Sequence, residues 1–282
     1  MNMNLIRFLR ILAFSLAWGS ASVYAQSAAD APFKFSTLVK DVKIEDQMPF
    51  SKAALFACGE QTCSQTFYSV PLQRPNVTMN SVVLSTDAKL KDALFIIPGT
   101  DGSDGRIHIK GLLAPKFGVM QYLYENADLF LNQGIALVAT GCPTDQLQQF
   151  GDCTDSYRKS MQYAEDFKQL MAVMKEKHGF EKFYIFGHSS GGISTRWLSV
   201  NLPQEFAGVI NSSIMNGTAM NLAHSTVGFD MTRIKAPVLN IAHENDQCPS
   251  TPYFVVKNYS HGNLITVRGG GTSGFVCGGA NH

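Results

Sequence analysis

A mainly parallel sheet of about eight strands with helices on both faces is the α/β architecture this sequence predicts. Three observations carry that prediction. Short, fully apolar runs bounded by turn residues recur from Ala93 onward. Segments of helical periodicity alternate with them. One run passes straight into a glycine-flanked serine and then a helical segment. An apolar run without polar alternation is a strand buried on both faces, and strands alternating with helices make a parallel sheet through right-handed crossovers.

The elements follow in order. From Phe33 to Leu84 the sequence is mixed and punctuated by proline, which predicts antiparallel edge strands and loops. Ala93 to Ile97 is apolar throughout and stops at Pro98-Gly99, a buried strand. Tyr122 to Leu131 reads as a helix ended by Gly134, and Ile135 to Ala139 as the next strand. From Tyr157, the residues Met161, Ala164, Phe167, Leu170, Met171 and Met174 recur at helical spacing with Lys and Glu between them. Phe183 to Phe186 is a strand, Gly191 to Leu202 a helix and Phe206 to Asn211 a strand. Val238 to Ala242 is a strand, Thr251 to Asn258 a short helix and Leu264 to Val267 a last strand. Gly269 to Gly279 is a glycine-rich loop. The segment from Met215 to Lys235 is short, so any cap over the sheet is small or absent. In such a sheet, ligand chemistry belongs at the carboxyl ends of the strands.

Composition narrows the function. With 45% hydrophobic and 16% charged residues the chain is globular, and its net charge of +1 provides no basic field for nucleic acid. Arg7 and Arg10 precede an apolar stretch from Ile11 to Trp18, and Val23-Tyr24-Ala25 supplies small residues before Gln26. That order predicts a secretory signal over residues 1–25, a single mature domain over 26–282 and a periplasmic or extracellular location. The apolar stretch is shorter than the roughly 20 residues that span a bilayer, so no stable membrane insertion is expected. Six cysteines suit an oxidising compartment. The simplest of their possible pairings is local: Cys58 with Cys63, Cys142 with Cys153, and Cys248 with Cys277. No CxxC spacing supports a zinc site instead.

The chemistry centres on Gly187-His188-Ser189-Ser190-Gly191-Gly192, which follows the strand Phe183 to Phe186 and opens a helix. This is G-x-S-x-G in a strand–turn–helix setting, where a tight turn lifts the serine hydroxyl above the sheet. The turn leaves room only for small residues two before and two after Ser189, here Gly187 and Gly191. Ser189 is the candidate nucleophile. The N–H of Ser190 would be one oxyanion donor and the N–H of Thr100, after Gly99, the second, with Asp101 as the alternative.

A serine nucleophile needs a base, and the base an orienting acid, which follow the serine in that chain order: acid, then histidine. Asp246 lies in the turn after the strand Val238 to Ala242, with Glu244 as the alternative acid. A metal site from His243, Glu244 and Asp246 is the weaker reading, because near neighbours in sequence rarely converge on one ion. His282 is the single histidine after the last strand and is the candidate base. His261 precedes that strand and suits a surface position. His108, His178, His188 and His224 are out of chain order. A Cys248–Cys277 bridge would pin the loop carrying His282 beside Asp246.

Phe183 to Gly192, Pro237 to Pro249 and Gly269 to His282 together resemble the α/β-hydrolase superfamily. More narrowly they resemble exported bacterial members in which the acid turn reads Asp-x-Cys and a second Cys precedes the histidine. The resemblance covers roughly residues 90 to 282. It implies the α/β-hydrolase fold, a Ser189–Asp246–His282 triad, hydrolysis through an acyl-enzyme, and no cofactor. A serine sets the chain apart from superfamily members whose nucleophile is Asp or Cys. The expected activity is cleavage of a small-molecule or polymeric carboxylic ester. One departure stands: a helix usually follows the catalytic histidine, whereas the sequence stops at His282, so either the chain is truncated or the base sits on an unsupported terminus. That departure supports the alternative, a catalytically impaired hydrolase fold serving in binding or structure.

Overall fold

The computed structural model describes residues 53–58, 61–86, 88–97, 99, 126–147, 153–216, 229–260 and 263–268, with residues 53–58, 61–63 and 65 as backbone alone. Nine strands make up its sheet: β1 (Ala53–Cys58), β2 (Gln61–Pro71), β3 (Thr78–Thr86), β4 (Asp92–Ile97), β5 (Ile135–Pro143), β6 (Lys182–His188), β7 (Phe206–Ser212), β8 (Val238–His243) and β9 (Leu264–Val267). Five α-helices are described: α1 (Ala127–Leu131), α2 (Asp155–Arg158), α3 (Met161–His178), α4 (Gly191–Asn201) and α5 (Tyr253–Tyr259).

The strand order is β1-β2-β3-β5-β4-β6-β7-β8-β9. β1, β2 and β3 form an antiparallel meander, and β3 runs antiparallel to β5. From β5 to β9 every pairing is parallel. The chain moves from β4 to β5 on one side, then crosses back to β6 on the other. Right-handed crossovers in opposite directions put α1 on one face and α3 and α4 on the other. In open sheets of this kind such a reversal places the ligand crevice at the carboxyl ends of the strands on either side of it, here β4 and β6.

Burial explains the central strands. β5 is buried at all nine positions and β4 at all but its first. Phe95 of β4 meets Phe167 of α3 edge-on at 4.9 Å and Phe183 of β6 at 5.6 Å. Losing one such buried ring costs about 3–5 kcal/mol.

The region before Leu84 supplies the expected antiparallel edge strands, with β2 of 11 residues and β3 of 9, in a nine-stranded sheet that agrees with the eight or so expected. The prolines sit where they do no harm: Pro71 ends β2, and Pro75 lies in the turn beyond it. β3 escaped the apolar-run criterion because it buries Asn80 and Ser81 among its apolar residues. The helical run from Tyr157 is two helices. The Thr154 hydroxyl accepts from the Tyr157 N–H at 3.2 Å, and the Ser160 hydroxyl accepts from the Tyr163 N–H at 3.1 Å, so each helix has its own cap. α3 then stops at Gly179, whose φ of +71° is the left-handed conformation of a helix end.

A polar clamp joins the N-terminal strands to α3. Arg74, in the β2–β3 turn, donates to both carboxylate oxygens of Asp145 at 2.8 and 3.1 Å and to Asp166 of α3 at 2.8 Å. The Tyr157 hydroxyl donates to the other oxygen of Asp166 at 2.5 Å. Asp145 lies in the loop closed by the Cys142–Cys153 disulfide, with Cα atoms 5.6 Å apart. Among the described residues no helix is long and apolar enough to cross a membrane.

Candidate active site

The chain turns from β6 into α4 over two residues, Ser189 and Ser190. Ser189 takes φ +52°, one of three positive values among the described non-glycine residues. For an L-residue that conformation costs about 1–2 kcal/mol, so the surroundings must hold it. They do so through the backbone. The Ser189 N–H donates to the Ser212 carbonyl at 3.0 Å, and the Ser189 carbonyl accepts from the Gly192 N–H at 3.1 Å and the Met215 N–H at 2.9 Å.

The glycines explain themselves sterically. A Cβ on Gly187 would lie 2.6 Å from the Gly191 carbonyl oxygen and 2.6 Å from Thr195 Cγ2. A Cβ on Gly192 would lie 2.2 Å from a methyl of Ile214, a requirement that the five-residue pattern does not express. Ser190 is 2% exposed and caps α4 with ordinary right-handed backbone. The positive end of α4 therefore lies under the turn, where it favours negative charge.

The loop leaving β4 reaches the same spot. A Cβ on Gly99 would fall 2.8 Å from Ser189 Cβ and 3.5 Å from Ser189 Oγ. Gly99 thus packs directly against the serine side chain. Thr100 and Asp101 lie outside the described residues.

Two strands away, β8 ends at His243 and the acid turn begins. The Asp246 N–H donates to the His243 carbonyl at 3.1 Å. One Asp246 carboxylate oxygen accepts from the Cys248 N–H at 2.9 Å, the other from the Thr251 hydroxyl at 2.7 Å. Both oxygens are oriented, and the side chain is half-buried. Glu244 points elsewhere, pairing with exposed Arg268 at 2.9 Å. His243 is buried, and its Nδ1 accepts from the Asn245 N–H at 3.0 Å. The three side chains of the weaker metal reading are therefore engaged in three different directions. No group of three His, Cys, Asp or Glu suited to a metal ion occurs among the described residues.

A short backbone path connects the two turns. Met215 bonds the Ser189 carbonyl, and the next residue, Asn216, donates its N–H to the Ser250 carbonyl at 2.8 Å, four residues after Asp246. Cys248 is disulfide-bonded to a partner outside the described residues. His282, Cys277, His261, His108 and His224 also lie outside them, as do residues 1–25 and the side chains of Cys58 and Cys63. The remaining histidines are accounted for. His188 shares a 3.3 Å contact between its Nδ1 and the Ser212 hydroxyl. His178 Nε2 meets the Tyr68 hydroxyl at 2.8 Å, and burial lowers its pKa.

Sequence reasoning did not single out Thr251 as the partner of Asp246, and no local pattern marks it. It also missed Met215, whose role depends on the path of the chain after β7.

No protein-family model and no curated protein matches the chain. Solved structures do. A protein assigned as a dienelactone hydrolase from Klebsiella pneumoniae subsp. pneumoniae MGH 78578 is 14% identical, with a TM-score of 0.50 over 73% of this chain and 85% of that one. The esterase Est1E from Butyrivibrio proteoclasticus, solved with ferulic acid, is 14% identical with a TM-score of 0.49 over 68% and 86% of the two chains. Acetyl xylan esterase 1 from Thermoanaerobacterium sp. JW/SL YS485 is 13% identical with a TM-score of 0.47 over 83% and 84%. The first of these and the strand order together identify the α/β-hydrolase fold.

Proposed function

We propose that this chain is an exported serine hydrolase that cleaves carboxylic esters, with Ser189 as nucleophile, Asp246 as orienting acid and His282 as base. The observation that carries this reading is the strained Ser189 turn with Gly99 packed on its side chain. This left-handed serine ends a central parallel strand, and the neighbouring strand's loop crowds its side chain. It suits a nucleophile that must stand at the mouth of the crevice.

In the reaction, Ser189 Oγ forms a bond to the ester carbonyl carbon while its proton passes to His282. The negative charge on the carbonyl oxygen is met by the N–H groups of Ser190 and Thr100. Collapse breaks the bond to the alcohol, which takes the proton from His282. Water, deprotonated by His282, then attacks the acyl-enzyme; the acid leaves and Ser189 recovers its proton. Asp246, held at both oxygens, keeps the imidazole in the required tautomer. The chemistry calls for no cofactor.

Export is supported by the leader-like residues 1–25 and by disulfide bonding at Cys142, Cys153 and Cys248. The unassigned partner of Cys248 is proposed to be Cys277, which would carry the His282 loop to Asp246.

The test is a fluorophosphonate probe on the purified mature protein, with peptide mapping of the label. Label on Ser189 that disappears in Ser189→Ala and in His282→Ala is the expected outcome. A folded wild-type chain that takes no label would overturn the enzymatic reading and leave the non-catalytic binding role.

A further inference from the structure

Arg196 lies two turns into α4 from Ser189, and it is 1% exposed. A guanidinium in such a place is expensive unless it is paired, since burial strips its water. Among the described residues no carboxylate is in ion-pair contact with it, and Asp155 favours its charge only through space. Burial lowers its pKa to about 10, which still leaves it a cation at neutral pH. A methionine or leucine would occupy the same volume without that cost, so the hydrogen bonds it makes call for an explanation.

Its guanidinium donates to two backbone carbonyls. Nε–H donates to the Gly192 carbonyl at 2.9 Å, and an Nη2–H donates to the Met215 carbonyl at 2.6 Å. Gly192 and Met215 are the same two residues whose N–H groups hold the Ser189 carbonyl, at 3.1 and 2.9 Å. One belongs to α4 and the other to the segment following β7, so nothing but tertiary packing keeps them together. The ring of Phe229 covers the guanidinium at 5.7 Å, and Trp197 meets that ring edge-on at 5.5 Å. Exposed Arg233 lies over both rings, at 5.4 Å from Trp197 and 5.8 Å from Phe229. The cover keeps water from competing for the two carbonyls.

We propose that Arg196 is a positioning residue for Ser189, tying Gly192 to Met215 so that their N–H groups hold the serine in its left-handed turn. The inference rests on the reading of Ser189 as nucleophile. Without the tie, the Met215 segment can withdraw, the Ser189 carbonyl loses one donor, and the strained φ relaxes. The hydroxyl then leaves its attack position while the sheet stays intact.

The test compares fluorophosphonate labelling rates with thermal midpoints. Arg196→Met fills the space and Arg196→Lys keeps the charge, but neither spans both carbonyls. Each is expected to label about 10- to 100-fold more slowly than wild type at a temperature well below its midpoint, as a displacement near 1 Å at the reacting atom would produce. For a small activated ester, kcat is expected to carry the loss, with KM little changed. Leu198→Ala, a buried apolar change on the same helix, controls for destabilisation: its midpoint falls but its labelling rate stays at the wild-type value. Phe229→Ala, at a half-buried position, keeps the guanidinium and admits water, and is expected to label a few-fold more slowly. Wild-type rates in folded Arg196→Lys and Phe229→Ala, or an equal slowing in Leu198→Ala, would overturn the inference. Failure of the wild type to label would instead remove the nucleophile reading on which it stands.

Discussion

At Ser189 two demands conflict. The left-handed turn raises the energy of the folded chain, while the proposed chemistry depends on where that turn puts the hydroxyl. Ser189→Gly removes the strain and the nucleophile together. It is expected to abolish ester hydrolysis and to raise stability by about 1 kcal/mol, a midpoint gain of about 2–4 °C in a domain of this size. Calorimetry beside an esterase assay measures both. The neighbouring glycines differ in what they protect. Gly99→Ala would press a methyl against Ser189 Cβ at 2.8 Å and the His188 carbonyl oxygen at 3.2 Å. Its expected cost is in rate, about 100-fold in kcat/KM, with a small change in midpoint. Gly192→Ala meets Ile214 in packed interior at 2.2 Å and is expected to destabilise by about 1–3 kcal/mol. A Gly99→Ala enzyme of unchanged rate would show that the β4 loop does not border the reacting atoms.

The elements that converge on the crevice are joined by hydrogen bonds between their ends. α5 follows the acid turn, and Thr251 just ahead of it donates to Asp246 at 2.7 Å, so the helix start and the carboxylate position each other. A hydrogen bond to a charged group is worth about 1.5–3 kcal/mol. Thr251→Val keeps the shape and removes the donor. It is expected to lower kcat about tenfold with KM nearly unchanged, and Thr251→Ser to retain most of the rate. Equal rates in all three proteins would show that the Thr251 hydroxyl does not orient Asp246.

Across the whole molecule, stability rests on ties between the N-terminal meander and the parallel half. The Cys142–Cys153 bridge closes a short loop beside the Arg74–Asp145–Asp166 clamp. Replacing both cysteines by alanine is expected to cost about 2–3 kcal/mol, lowering the midpoint by about 5–10 °C in calorimetry. A second tie is pH-dependent. His178 at the end of α3 stacks on Phe180 and bonds Tyr68 of β2, and burial holds its pKa below the ordinary 6.5. Between the folded and unfolded pKa values the unfolded chain binds the extra proton, so the group's contribution is complete above pH 6.5. It is lost as the pH falls through 6.5 toward the folded value. Urea unfolding at pH 7.5 and 5.5 is expected to show a larger loss in wild type than in His178→Gln. The clamp adds a lower step. The hydrogen bonds of Arg74 hold the Asp145 carboxyl below its usual range, so its contribution is present above the ordinary carboxylate pKa and fades as pH drops below it.

Much of this molecule was legible in the chain alone because its signals are local. An unbroken apolar run such as Ala93 to Ile97 has nowhere to go but a buried strand, and the glycine at 187 is demanded by atoms of the turn and helix that follow it. The sequence by itself therefore determined the parallel half of the sheet, the setting of Ser189 between strand and helix, and the position of Asp246 after β8. Tertiary structure decided the rest. It made long strands of a mixed N-terminal region, because β3 buries its polar residues within the sheet. It joined Gly99 to Ser189, Thr251 to Asp246 and Arg196 to Met215. Those contacts depend on how separate segments pack, and packing distances between segments leave no periodicity in a sequence.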